Sequence, residues 1–240
     1  MDGVKVLFFD MGNTLLHFHH GNTDNEKDEL GLLYLTKYLK KYNENINFDD
    51  VKDVFFKRWM EGIEDRSETS IEYPIEDFLN VFLAKYNFNL DLNKCIEAIH
   101  IFYTEYREQI YFEKDLYKSL KAIKEKGYKL GVISNTCYYD EVMKECFKKA
   151  KIYDLLDNFT FSYSLRIGKP KLQIFKTAIE AMNISPMESV MVGDNLATDI
   201  KPAIELGMKT IWLNNSKKTN NSNIIPNAES SSIAEILKYI

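Results

Sequence analysis

Val4-Lys5-Val6-Leu7-Phe8-Phe9-Asp10-Met11-Gly12-Asn13-Thr14 is an apolar run that ends in an acid and a tight polar turn. Its side chains are apolar almost without a break, the pattern of a strand buried on both faces of a parallel sheet. Such a strand belongs near the sheet centre and delivers the Asp10 carboxylate to its C-terminal end. In an open α/β sheet that end is where ligands bind, and a carboxylate there is a candidate nucleophile or ligand for a hard cation. The plain alternative is an acid that caps a turn or a helix. Three later segments repeat the form, strand first and polar cluster after. Leu130-Gly131-Val132-Ile133 leads to Ser134-Asn135-Thr136, Gly168 to Lys169-Pro170, and Val190-Met191-Val192-Gly193 to Asp194 and Asp199.

Outward from the first strand the texture changes. From about Glu26 the apolar residues take helical spacing, with Leu30, Leu33, Tyr34 and Tyr38, then Val51, Val54, Phe55 and Trp59, then Phe78, Val81 and Phe82, and then Cys95 to Tyr106. Asp49 and Asp50 precede one helix and Pro74 another, as start signals do. Residues 18–109 therefore read as a helical insertion. Strand and helix alternate again from Tyr117, which predicts right-handed βαβ crossovers. Helices are expected over 117–126, 140–150, 172–182 and 200–206, and strands over 129–133, 159–161, 190–192 and 210–213. Asn214 to Asn227 is rich in Asn, Ser and Lys and reads as a mobile loop before a last helix over 232–239.

In this order and spacing the four segments resemble the haloacid dehalogenase-like (HAD) hydrolase superfamily, over the first fifteen or so residues and then from about 130 to 213. The resemblance implies an α/β fold, a Rossmann-like parallel sheet core with helices on both faces plus a helical cap domain. The core would comprise 1–17 and 110–240, and the cap 18–109. It further implies a Mg2+-dependent phosphatase in which Asp10 attacks phosphorus to form an aspartyl-phosphate. Ser134 would hold phosphate, Lys169 would balance its charge, and Asp194 and Asp199 would bind the magnesium together with Asp10 and the Gly12 backbone carbonyl. Ser134 and Asn135 lie where hydroxyl, amide and backbone N–H donors can grip transferring phosphoryl oxygens. Asp199 is equally placed to cap the helix that follows it. Arg58, Arg66 and Arg107 are candidate anion contacts from the cap, and its aromatics fit helical core spacing.

One position departs from the pattern. The family's phosphatases carry a second Asp two residues after the nucleophile as general acid and base, and here that residue is Gly12. Such help is typically worth about 10² to 10⁴ in rate. Three explanations stand: a substrate with a good leaving group, a substitute among His17, His19 and His20, or a protein that binds a phosphorylated ligand without turning it over. A metal-free 2-haloacid dehalogenase also lacks the second Asp, but the Asp194 and Asp199 pair argues against it.

Composition bounds the rest. At 240 residues the chain has room for a core and a smaller second unit. A net charge of −5 disfavours a dedicated nucleic-acid binder, so the expected partner is a small phosphorylated metabolite. Three cysteines without CxxC spacing indicate neither a disulfide framework nor a thiolate zinc site, which suits a cytoplasmic protein. No apolar run approaches the roughly 18 residues of a membrane span. Whether the protein is a monomer or a homodimer is left open by the sequence.

Overall fold

The structure, a computed structural model, describes residues 1–240, apart from the side chains of Asp65 and Ser67. Six parallel strands form one sheet, β1 (Val6–Phe9), β2 (Lys129–Ser134), β3 (Asn158–Phe161), β4 (Ser189–Gly193), β5 (Lys209–Leu213) and β6 (Ala228–Ser230). Their spatial order is β3-β2-β1-β4-β5-β6, so β1 is central, as its unbroken apolar run requires. The chain steps from β1 to β2 and β3 on one side, then returns to β4 on the other. The gap between β1 and β4 is thus the point where the strand order reverses, and ligand crevices form there in doubly wound sheets.

Side-chain alternation along the strands builds a core on each face. Leu7, Phe9, Leu130, Val132, Val190 and Val192 point to one face and pack with helices Leu116–Glu125 and Asp140–Lys149. Val6, Phe8, Ile133 and Met191 point to the other and pack with helix Leu172–Ala181. Fully burying one such side chain contributes about 1.5–3 kcal/mol. Gly131 is small for a reason, since a Cβ there would stand 2.6 Å from the Phe8 ring.

Between β1 and β2 lie the helices Asp24–Leu39, Lys57–Thr69, Ile75–Ala84, Leu92–Phe102 and Thr104–Glu108, with a π-helical turn over Val51–Phe56. Their core is aromatic, with Phe55, Trp59, Phe82 and Phe102 fully or almost fully buried. Tyr34 does not join it; it is 37% exposed and its hydroxyl donates to Glu105. The backbone bridge of Ile71 to Ile167 connects this insertion to the sheet unit, and that of His17 to Tyr111 joins the two chain segments at its base.

Several expectations need correction. Asp49 and Asp50 do not precede the helical turn at Phe48–Asp50 but lie within it, and Asn47 caps it with a side chain that accepts from the Asp50 N–H. The three-residue strand β6 falls within the C-terminal stretch, and the expected last helix is a single 3₁₀ turn over Ala234–Lys238. The loop expected to be mobile holds a web of local bonds: the Asn214 amide donates to Lys218 O and to Glu229, and Asn227 Oδ1 accepts from the Thr210 N–H. Asn side chains that bond nearby backbone supply the order that apolar burial does not. The three cysteines are buried and free, and no helix among the described residues is long and apolar enough to cross a membrane.

Candidate active site

Parallel pairing sets the C-terminal ends of β1, β2 and β4 on one edge. Phe9 pairs with Val132 and with Val192, so Asp10 emerges beside the ends of both neighbours, and its N–H donates to Val192 O at 2.9 Å. Ser134, the last residue of β2, donates its hydroxyl to Asp10 Oδ1 at 3.3 Å. Lys169 reaches in from a turn that includes a cis Lys169-Pro170 bond. Its Nζ lies 2.6 Å from Asp10 Oδ1 and 2.7 Å from Asp199 Oδ1. All four side chains are buried.

Burial opposes the charge on Lys169, but Asp10 and Asp199 outweigh it and hold the ammonium above its ordinary range. Burial pushes the Asp199 carboxyl up to about 6, with Asp10 adding to the rise and Lys169 opposing it. Asp194 is raised by burial and by Asp10. One oxygen from each of Asp10, Asp194 and Asp199 lies within 4.8 Å of the others, a donor set suited to a hard divalent cation.

Asp199 does not cap a helix. Asn195 caps the π-helical turn Leu196–Ile200 with its side-chain oxygen, accepting from the N–H groups of Ala197 and Thr198. That leaves Asp199 Oδ2 to accept from the Asn195 N–H and Oδ1 to meet Lys169. Gly193 is the residue that lets the carboxylate fold back, because a Cβ there would collide with it.

Asn135 is placed differently from the sequence expectation that its amide grips phosphate. Its Nδ2 donates to Lys169 O at 2.9 Å and its Oδ1 accepts from Lys169 N–H at 2.7 Å, so the side chain holds the lysine backbone. Gly12 lines the same cavity as Asp10, and a Cβ built on it meets no atom within 4 Å. The missing acid is therefore not a consequence of crowding.

The cavity measures about 440 Å³. Its floor carries the acids, Ser134 and Lys169, and its far wall comes from the helical insertion, with Arg66, Tyr103 and Tyr106. Of the three arginine candidates only Arg66 lines it; Arg107 turns to His100 O, and Arg58 lines a separate surface recess. Sequence reading had no signal for what braces Arg66. Its Nη1 meets both oxygens of buried Glu72 at 3.3 and 3.2 Å, Glu72 accepts from Ser162 Oγ, and Ser162 Oγ accepts from the Thr136 N–H. Among the three clustered histidines, His19 lines the cavity, whereas His17 and His20 lie against the Tyr111 ring at 5.5 and 5.2 Å.

A family model for haloacid dehalogenase-like hydrolases matches residues 4–207. The chain is 26% identical over 215 residues to a glyceraldehyde 3-phosphate phosphatase of Pyrococcus furiosus, covering 88% of this chain and 81% of that protein. Among solved structures, a 2-haloacid dehalogenase from Pseudomonas syringae superposes with a TM-score of 0.66 at 20% identity, over 98% of this chain and 97% of that one. A HAD phosphatase from Thermococcus onnurineus gives 0.60 at 23% identity, with 98% and 97% covered. These two likenesses bear on the fold; the family match runs from β1 through β4 and includes the helical insertion. The chain belongs to the haloacid dehalogenase-like hydrolases.

Proposed function

We propose that the chain is a magnesium-dependent phosphatase that hydrolyses a small phosphorylated metabolite through an aspartyl-phosphate on Asp10. The observation that carries this reading is the buried junction of Asp10, Ser134 and Lys169 beside Asp194 and Asp199, at the floor of a cavity of metabolite size. The donor set fits the metal. Three carboxylates converge and Lys169 pairs with two of them, while Lys218 acts on Asp194 without pairing, so negative charge is in surplus. Asp10, Asp194 and the Gly12 carbonyl would hold the ion, with Asp199 supporting directly or through water. A magnesium ion supplies neutralisation of phosphoryl charge when bound.

Asp10 then attacks phosphorus in line with the leaving oxygen, and water releases phosphate from the acyl phosphate. Ser134 Oγ donates to a phosphoryl oxygen, and Lys169 balances the charge that builds on the others. Asn135 keeps the lysine in place through its backbone. Residues 18–109 act as a cap that shields the site from bulk water, and Arg66 with Tyr103 and Tyr106 meets the organic part of the substrate. Relatives are named glyceraldehyde 3-phosphate phosphatases, so that ester is the first to offer.

Gly12 also fits the metal-free dehalogenase chemistry, against which the convergent acids weigh. Hydrolysis of p-nitrophenyl phosphate and glyceraldehyde 3-phosphate, with magnesium and with EDTA, tests the reading. Turnover is expected to need both the metal and Asp10, and to vanish in Asp10→Asn. Chloride release from 2-chloropropionate in EDTA, without phosphatase activity, would replace the proposal.

A further inference from the structure

We propose that His19, oriented by Asp24, is the general acid and base that the chain lacks at Gly12; the inference rests on the phosphatase reading above. The cavity has open space at Gly12 and needs a proton donor for the leaving oxygen. Outside the acids assigned to the metal, its lining offers few groups that exchange a proton near neutral pH. Arg66 is a guanidinium and stays charged. Burial pushes the Cys137 thiol up to about 12 and drives the Tyr103, Tyr106 and Tyr138 phenols well upward, while Lys169 is held charged by its two acids. Imidazole is the side chain suited to the task, and His19 is the histidine among the described lining residues.

The segment that carries His19 is held on both sides. His19 Nδ1 lies 2.6 Å from Asp24 Oδ2, which fixes the ring and leaves Nε2 as the nitrogen able to meet a ligand. Asp24 opens the helix Asp24–Leu39, whose start is secured by the reciprocal bonds of Thr23 and Glu26. On the N-terminal side, Lys27 is fully buried and donates to Phe18 O at 2.7 Å. On the C-terminal side, Gly21 sits in the left-handed region against Gln109, whose Oε1 accepts from the Asn22 N–H at 2.7 Å. A buried ammonium is an expensive device for a solvated loop and a reasonable one for a loop that must present a catalytic group. His19 lines the cavity with its side chain 68% exposed, so the ring can exchange protons with solvent.

The step balances as follows. As the Asp10 Oδ–P bond forms and the P–O bond to the leaving group breaks, the electron pair stays on the ester oxygen and takes the His19 Nε2 proton, so an alcohol leaves. Water then attacks phosphorus from the vacated side and gives a proton to neutral His19, and the carboxylate of Asp10 recovers its electron pair. The same imidazole serves both half-reactions.

The test compares kcat/KM for an alkyl phosphate, whose leaving oxygen needs a proton, with p-nitrophenyl phosphate, whose leaving oxygen does not. His19→Gln is expected to lower kcat/KM by about 10²-fold with the alkyl ester and far less with the aryl ester. Asp24→Asn should show the same leaving-group bias with a smaller loss, and His20→Gln should leave both rates as they are. Equal losses on the two esters, or no loss on the alkyl ester, would overturn the proposal. If the wild type shows no Asp10-dependent turnover of either ester, the phosphatase reading fails first, and this inference with it.

Discussion

Lys169→Met keeps much of the side chain's length and apolar volume and removes the charge between Asp10 and Asp199. The native ammonium lies 2.6 and 2.7 Å from the two carboxylates, in side chains that are 3%, 10% and 1% exposed for Lys169, Asp10 and Asp199. Removing one partner from a buried ion pair costs about 3–5 kcal/mol, because the other charge is left without compensation. Asp10 borders a cavity that water can enter, so the lower end of that range applies, about 3 kcal/mol at pH 8. For a chain of this size that is a fall in Tm of about 6–12 °C.

The pH dependence follows from Asp199, whose carboxyl already stands at about 6 through burial and the charge of Asp10, against the pull of Lys169. Without the lysine it rises further. A carboxyl with a raised folded-state pKa favours folding when protonated and opposes it when ionised, so the defect is largest above that pKa and shrinks as pH falls toward 5. Calorimetric melts of wild type and variant at pH 8 and pH 5, without added metal, measure it. A deficit of the same size at both pH values, or one under about 2 °C at pH 8, would mean that Lys169 does not offset the buried Asp199 charge.

Gly193→Ala forces a Cβ against the Asp199 carboxylate, which Lys169 and the Asn195 N–H hold in place. A loss of about 1–3 kcal/mol in melts together with a fall in kcat is expected, and full activity at an unchanged Tm would contradict it. Gly12→Asp enters open space but sets a fourth carboxylate beside three others, so Tm should fall in melts without metal and recover with magnesium, while hydrolysis of alkyl phosphates rises; assays of both properties on one preparation decide it. Burial raises the Asp28 carboxyl to about 6, with Tyr106 opposing and Asp24 adding. Its ionised form therefore weakens the fold as pH rises from about 4 through 6. Asp28→Asn, which keeps an acceptor for the Tyr106 hydroxyl, should add about 1 kcal/mol at pH 7.5, discounted for partial exposure, and little at pH 4 in the same melts.

The sheet unit was legible because its information is local. Val6 to Phe9 are apolar on both sides, a pattern that suits a central parallel strand, and each later strand carries its polar cluster behind it. The candidate acids were legible for the same reason, since each follows a strand whose direction is set by parallel pairing. What escaped was decided by partners far away in sequence. Ala228–Ser230 has no strand-like pattern and is a strand because β5 offers it an edge. Asn135 reads as an anion donor until Gly168 and Lys169 fold over it. Asp199 reads as a helix cap until Asn195 takes that role. The Arg66–Glu72–Ser162–Thr136 chain joins three separate segments, and what sets His19 apart from His17 and His20, its place on the cavity wall and its bond to Asp24, appears only in the fold.

The proposed phosphatase chemistry turns on Asp10 carrying the phosphoryl group during turnover. Acid quench of the enzyme in the steady state with a phosphate ester and magnesium, followed by borohydride reduction and peptide mass spectrometry, reads it directly. Asp10, and no other carboxylate, is expected to be converted to homoserine in amounts that depend on substrate and metal. Turnover with Asp10 unmodified, or with the modification on another residue, would contradict it.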